Sequence, residues 1–332
     1  MTPVSELWTP ALVVDADVLE ANLTTMSSAL PGRRLRPHVK AHKCSALARR
    51  QVELGHPGLT CATVREVERL AAAGLGADLL LANAVVDARR LGVVGDRYGA
   101  RVTVAVDSEE TVRAAAGGGV REVLVDVDVG LPRCGCRPEE AGRLADLARS
   151  LGLTVRGVMG YEGQVTVMPE RLERAAAVEK AMGLLLQAAG DVGGDVVSAG
   201  ATVTWDLNTW ATEIQAGSYA LMDTTFAPMA PAFRPALWVE ATVISVAPGW
   251  AVADCGLKAL GMDHGNPTIE GANVLFCSDE HITFVPEDGA RVGDRVQVWP
   301  AHIDPTVAYH ERLHLARAGE VIDVWDLDLR GW

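Results

Sequence analysis

The sequence predicts an α/β protein: a (β/α)8 TIM-type barrel over residues 1–230, followed by a C-terminal antiparallel β domain over residues 231–332. Three observations carry that expectation. Apolar or β-branched runs alternate with segments of 3.6-residue periodicity across the first two-thirds of the chain. With the first run, Ala11–Asp15, set aside to pair elsewhere, eight remain, and eight parallel units in about 200 residues is the barrel count. Beyond Pro231 the runs become short, alternating and punctuated by Gly, Pro and Asp, which is the texture of antiparallel strands.

In order, the barrel runs are Leu35–Lys40, Leu59–Thr63, Leu79–Asn83, Val102–Asp107, Glu122–Asp128, Thr154–Met159, Asp195–Ala199 and Ile214–Ala220. Helical periodicity falls in Leu19–Ala29, Ser45–Leu54, Val64–Ala73, Glu109–Ala116, Pro138–Ser150 and Pro169–Ala189. Asp17, Ser45 and Ser108 are candidate helix-start residues, because their side chains can accept from free backbone N–H groups. An open doubly wound sheet is the rival architecture, yet no Gly-x-Gly-x-x-Gly turn follows an early strand, as its dinucleotide site would need. The C-terminal runs are Leu237–Val246, Trp250–Cys255, Val274–Phe276, His281–Val285, Arg295–Trp299 and Glu320–Asp326.

Composition excludes several classes. The formal charge is −13 with Lys and Arg scattered, so no basic face is offered and no nucleic-acid partner is expected. No run of about 18 apolar residues occurs, so no membrane span is expected. The first ten residues lack a basic head and an apolar segment, and six cysteines are then expected as reduced thiols in a cytoplasmic protein. Cys134 and Cys136 are spaced too closely for zinc or a redox couple and read as structural.

The stretch Leu35-Arg-Pro-His-Val-Lys-Ala-His-Lys43 reads as a short buried strand ending in cations. A lysine at a barrel strand end, Lys40, becomes an amine nucleophile where desolvation and neighbouring cations such as His38 lower its pKa. Barrel chemistry sits at the carboxyl ends of strands, with anion sites commonly after strands seven and eight. Ser198-Ala-Gly-Ala-Thr202 and Gln215-Ala-Gly-Ser-Tyr219 fall there, with small residues that bare backbone N–H groups and hydroxyls that donate. An anion nest with a strand-end lysine suits pyridoxal 5′-phosphate (PLP); a phosphorylated sugar handled by a Schiff-base aldolase remains open. Asn83, Asp107, Arg133 and Tyr161 add polar groups at other strand ends, and Arg133 could bond a phenolic oxygen of the cofactor. In Pro300-Ala-His-Ile-Asp-Pro-Thr306, a strand would place His302 and Asp304 on one face, as an imidazole–carboxylate pair for one divalent cation, and Asp-Pro-Thr then reads as a sharp turn.

Taken together, Arg36–Lys43, Asp126–Gly130, Arg133–Gly135, Gln215–Tyr219, Asp254–Lys258 and Pro300–Thr306 resemble the D-threonine aldolase / D-serine dehydratase-like family of fold-type III PLP enzymes, whose barrel is like that of alanine racemase. The resemblance implies that Lys40, not Lys43, links to the cofactor. It places Arg133 near the cofactor ring's oxygen, Tyr161 near its ring nitrogen, and Gly200, Thr202, Gly217, Ser218 and Tyr219 at the phosphate; His38 and Asn83 are further candidate cofactor contacts. It assigns His302 and Asp304 to a divalent metal, and implies a homodimer. Aldolases of this family look like His-x-Asp and the dehydratases like His-x-Cys with zinc. Asp304 therefore favours Mn2+ or Mg2+ over Zn2+, and retro-aldol cleavage of a β-hydroxy-D-amino acid to glycine and an aldehyde. Two departures stand out: Glu162 and Val167 where aldolases look like histidine, and the loop Ala199–Thr202, which is poorer in glycine. A metal-bound hydroxide, Glu162 and His264 are the candidate general bases. The alternatives are a dehydratase of the D-serine or 3-hydroxy-D-aspartate type, giving keto acid and ammonia, and a non-catalytic PLP carrier.

Overall fold

The eight apolar runs become the staves of a closed parallel sheet. A computed structural model describes residues 2–332. It divides into two compact units: Met26–Lys40, Leu47–Gly217 and Leu329–Trp332 in one, and residues up to Thr25 with Ala41–Ala46 and Ser218–Asp328 in the other. The division is thus not a single cut near residue 230, because the N-terminal strands pair into the antiparallel sheet.

In chain order the first elements are β1 (Thr2–Pro3), β2 (Ala11–Asp15), α1 (Ala16–Ala29), α2 (Ser45–Glu53), β3 (Leu59–Cys61), α3 (Val64–Ala72), β4 (Leu79–Leu81) and α4 (Arg89–Tyr98). There follow β5 (Val102–Val106), α5 (Glu109–Gly117), β6 (Glu122–Asp126), α6 (Ala141–Ser150), β7 (Thr154–Met159), α7 (Arg171–Val192), β8 (Val196–Ala199) and β9 (Glu213–Ile214). The last group is β10 (Leu237–Ala247), β11 (Trp250–Ala253), β12 (Thr268–Ile269), β13 (Ala272–Cys277), β14 (Ile282–Pro286), β15 (Arg295–Trp299), α8 (Ile303–Tyr309), β16 (Arg312–Arg317) and β17 (Glu320–Asp326).

Strands β3 to β9 lie side by side in sequence order, all parallel. Leu35 bridges Ile214 of β9 and His38 bridges Thr60 beside Leu59 of β3, both parallel, so this segment closes the ring as the eighth stave. It is not the continuous strand expected of Leu35–Lys40. Pro37 has no N–H for the ladder, and Val39–Ala41 coils into a 3-10 turn. The last stave likewise ends at Ile214, and Ser218–Ala220 is a 3-10 turn rather than strand. Ser108 caps α5 as expected, its hydroxyl accepting from Thr111 N. Asp17 does not cap α1: Asp15 Oδ1 accepts from the backbone N of Asp17 and of Val18. Ser45 is the first residue of α2, and its N–H donates to Asp328.

Side chains two apart on a stave share a face, so the barrel interior builds in layers. Asp78 precedes β4 and Arg156 lies on β7, three strands away, so their 2.9 Å bond must cross the interior. Thr103, Glu122 and Arg156 belong to this lower, ionic layer. Leu80, Ala105, Leu124 and Met159 form an apolar layer above it. Asp107 and Asp126 come two residues later, at the carboxyl ends.

In the other unit, β10-β11-β14-β13-β12-β15 closes through a β10–β15 pairing. The run Ala11–Asp15, set aside in the sequence, is β2, antiparallel to β10 and parallel to β16. Among the described residues no helix is long and apolar enough to cross a membrane.

Candidate active site

In the barrel unit, the polar side chains expected at the carboxyl ends are present, in arrangements that partly differ from expectation. Lys40 sits on the 3-10 turn just past the closing stave, its backbone N–H 3.4 Å from His38 Nδ1. Its side chain is exposed, so the expectation that burial desolvates this amine is not met. The cause is local: the turn begun after Pro37 carries Val39 inward and Lys40 outward. Asn83 Nδ2 donates to Ala62 O at 3.1 Å, tying the end of β4 to the neighbouring loop. Arg133 and Tyr161 meet, with the guanidinium carbon 5.2 Å from the ring centroid, a cation–π arrangement that fixes a cation at the barrel mouth. Asp126 is nearly buried, and its carboxyl is pushed up to about 7, first by burial and then by the Asp107 charge, against the pull of Arg133.

The two small-residue loops also differ from each other. Gly200 adopts φ +91° and its amide donates to Glu162 Oε2 at 3.1 Å. The positive φ calls for glycine, and a Cβ there would also press on the Ile214 side chain at 3.0 Å. Ala201 N donates to Thr204 Oγ1. Thr202 is buried within the same loop, and Gly217 is buried at the end of the loop after β9. Ser218 and Tyr219 open the next 3-10 turn, in the segment grouped with the antiparallel unit. Glu162 is 1% exposed, and burial pushes its carboxyl up. An amine, a guanidinium and a glycine-shaped loop with a buried threonine hydroxyl fit PLP.

In the antiparallel unit, the expected strand through His302 and Asp304 is not formed. Pro305 falls in the first turn of α8, where its missing N–H breaks no helical bond, so the Asp-Pro-Thr segment starts a helix instead of turning. His302 is the extended residue before the helix and bridges Gly261. Gly261 N donates to Thr306 Oγ1, which donates to His302 O. A Cβ at Gly261 would strike Pro305 at 2.2 Å. This clamp brings Asp263 and His264 to His302. The ligand atoms of the three lie within 4.8 Å of one another.

His302 Nδ1 bonds Asp263 Oδ2 at 2.7 Å, an imidazole–carboxylate pair of the kind that orients a metal-binding histidine. The rings of His264 and His302 stack at 3.9 Å, and Phe226 meets both edge-on. His264 is lowered by burial and then by His302, so its imidazole is unprotonated near neutral pH. Asp304 lies in the first turn of α8, and its charge is felt by both His264 and Asp223. Asp223 is pushed up to about 6 by burial, and accepts from Phe226 N and Ile303 N. The donors are imidazole and carboxylate with no thiolate, a set that suits a divalent cation of intermediate hardness.

Sequence reasoning did not single out Asp263 as part of the cluster, although its neighbour His264 was a candidate base. It also missed Asp223, whose local bond to Phe226 N reads as an ordinary turn and whose contact with the His302 segment, through Ile303 N, lies 80 residues along the chain.

The parallel barrel and the antiparallel closed sheet are the alanine racemase-like fold, and the chain belongs to that class of PLP-dependent enzymes. It matches the family described as "Alanine racemase, N-terminal domain" over residues 14–224, and "Putative serine dehydratase domain" over residues 236–316. Among relatives, a D-threonine aldolase from Arthrobacter sp. is 34% identical, over 99% of this chain and 94% of that protein. A 3-hydroxy-D-aspartate aldolase from Paracoccus denitrificans (strain Pd 1222) is 31% identical, over 98% of this chain and 93% of that protein. The crystal structure of D-threonine aldolase from Filomicrobium marinum superposes with a TM-score of 0.94 at 32% identity, covering 99% and 98% of the two chains.

Proposed function

We propose that this chain cleaves β-hydroxy-D-amino acids to glycine and an aldehyde, with PLP and a divalent cation, Mn2+ or Mg2+ in preference to Zn2+. The observation that supports this most is the presence, in a single chain of the aldolase-like family, of a lysine at a barrel stave end and of an imidazole–carboxylate cluster built on His302. PLP supplies an aldehyde for the Lys40 amine and a ring that takes up the electron pair left when Cα–Cβ breaks. A divalent cation supplies Lewis acidity to the substrate hydroxyl.

Lys40 would hold the cofactor through its amine. Arg133, backed by the Tyr161 ring, would supply positive charge to it, His38 and Asn83 would add polar contacts, and the loops at Gly200–Thr202 and Gly217–Tyr219 would hold its phosphate. His302 and Asp304 would hold the cation, with Asp263, bonded to His302 Nδ1 at 2.7 Å, orienting that imidazole. His264, kept unprotonated by its surroundings, takes the proton from the substrate hydroxyl. A homodimer in the cytoplasm completes the reading; the six free thiols support that compartment.

The test is product analysis with one β-hydroxy-D-amino acid, with and without chelator. Glycine and aldehyde are expected, with turnover lost on chelation and restored by Mn2+. Keto acid and ammonia alone would replace this reaction with elimination of water, and no turnover in either condition would leave a carrier of PLP.

A further inference from the structure

We propose that Glu162 is the positioning residue that shapes the phosphate-gripping loop after β8, and that it is not a general base. The proposal rests on the reading that this loop holds the cofactor phosphate. Glu162 stands three residues beyond β7, 1% exposed. Its Oε2 accepts from Gly200 N at 3.1 Å, and its Oε1 accepts from Thr204 Oγ1 at 3.0 Å and from Asn208 Nδ2 at 3.4 Å.

Those partners propagate the hold along the loop. Thr204 Oγ1 also accepts from Ala201 N at 2.9 Å, and Asn208 Oδ1 accepts from Ala211 N at 3.2 Å. One carboxyl therefore organises the chain from Gly200 to Ala211, the whole crossing from β8 towards β9. Both of its oxygens are engaged and neither reaches solvent, whereas a base must present an oxygen to the substrate. The Gly200 amide, turned to Glu162, is also withdrawn from anion binding. Its contribution is the φ +91° bend that aims the residues after it, Thr202 among them. Removing the carboxyl would leave the buried amide of Gly200 unsatisfied and Asn208 Nδ2 with only the Met182 sulfur, and the loop would relax away from its anion-binding shape.

The test uses the purified full chain stripped of cofactor and titrated separately with PLP and with pyridoxal, which lacks the phosphate. Wild type should prefer PLP strongly. In Glu162→Ala the dissociation constant for PLP should rise about tenfold or more while that for pyridoxal changes less than about threefold, as expected for three lost hydrogen bonds acting only through the phosphate loop. Glu162→Gln keeps an acceptor for Gly200 but turns an NH2 group towards Thr204 and Asn208, which both donate to the carboxylate in wild type, so its preference should lie between those of Glu162→Ala and wild type. At saturating PLP both variants should keep the wild-type shape of kcat against pH.

If Glu162→Ala fails to fold, Thr204→Val carries the test, with the same preference reduced by a smaller factor. Equal weakening for PLP and pyridoxal would overturn the proposal, and so would unchanged PLP affinity with kcat lost and its acid limb gone. A wild type that does not distinguish PLP from pyridoxal would instead overturn the reading of the loop itself.

Discussion

The two ends of the barrel handle buried charge in opposite ways, although the same staves build both. At the lower end Asp78 takes Arg36 at 3.0 Å and Arg156 at 2.9 Å, while Arg36 also bonds Glu213 at 2.8 Å. Burial works to raise Asp78, but the two guanidiniums overcome it and the carboxyl lies below its usual range. At the upper end of the same interior, Asp126 is pushed up to about 7, because burial and Asp107 outweigh Arg133. The lower layer is a closed set of partners that joins the staves. The upper layer keeps titratable groups where a ligand would meet them, and perturbed groups of that kind mark functional ends.

The comparison can be broken most directly at Asp78. Asp78→Ala strips Arg36 and Arg156 of their shared carboxylate inside the barrel and should destabilise the protein by about 3–5 kcal/mol, read from urea unfolding. A loss below about 1 kcal/mol would show that the lower layer does not join the staves.

Asp126 gives the opposite sign. Its folded-state pKa is raised, so the folded state holds more protons than the unfolded chain between about pH 4 and 7, and stability falls as pH rises through that window. Asp126→Asn removes this fall. It should match wild type near pH 4 and be more stable by about 2–4 kcal/mol at pH 8, by unfolding at the two pH values.

The smallest effect is expected outside the barrel, where Arg90 and Glu68 pair at 2.7 Å in solvent. Arg90→Ala should cost about 0.2–1 kcal/mol and less in high salt, which separates surface pairing from the interior layer.

Much of this was legible in the sequence, for particular reasons. The stave count followed from apolar runs that every buried parallel strand requires, and Lys40 stood out through its motif. The exposed placement of Lys40 did not follow, because it depends on the 3-10 turn after Pro37. The helix at Ile303 was hidden by Asp-Pro-Thr, which suits a turn as well as a helix start; proline just inside the first turn was the available signal. The strand Arg312–Arg317 alternates in sequence and pairs with the adjacent β17, but it was not singled out; its second partner, β2, lies about three hundred residues away. The role of Glu162 was unreadable locally, since its partners are 38 to 46 residues further on.

The central claim is that the Lys40 amine carries the cofactor at a barrel end whose fold does not depend on it. The direct measurement is the visible absorbance of PLP-reconstituted wild type and Lys40→Ala, alongside their unfolding in urea. The account predicts a yellow wild type, a Lys40→Ala protein without that covalent absorbance or turnover, and stabilities of the two apoproteins within about 1 kcal/mol, as for an exposed side chain. A colourless wild type that ignores added PLP, or a Lys40→Ala protein that keeps the absorbance, would contradict it.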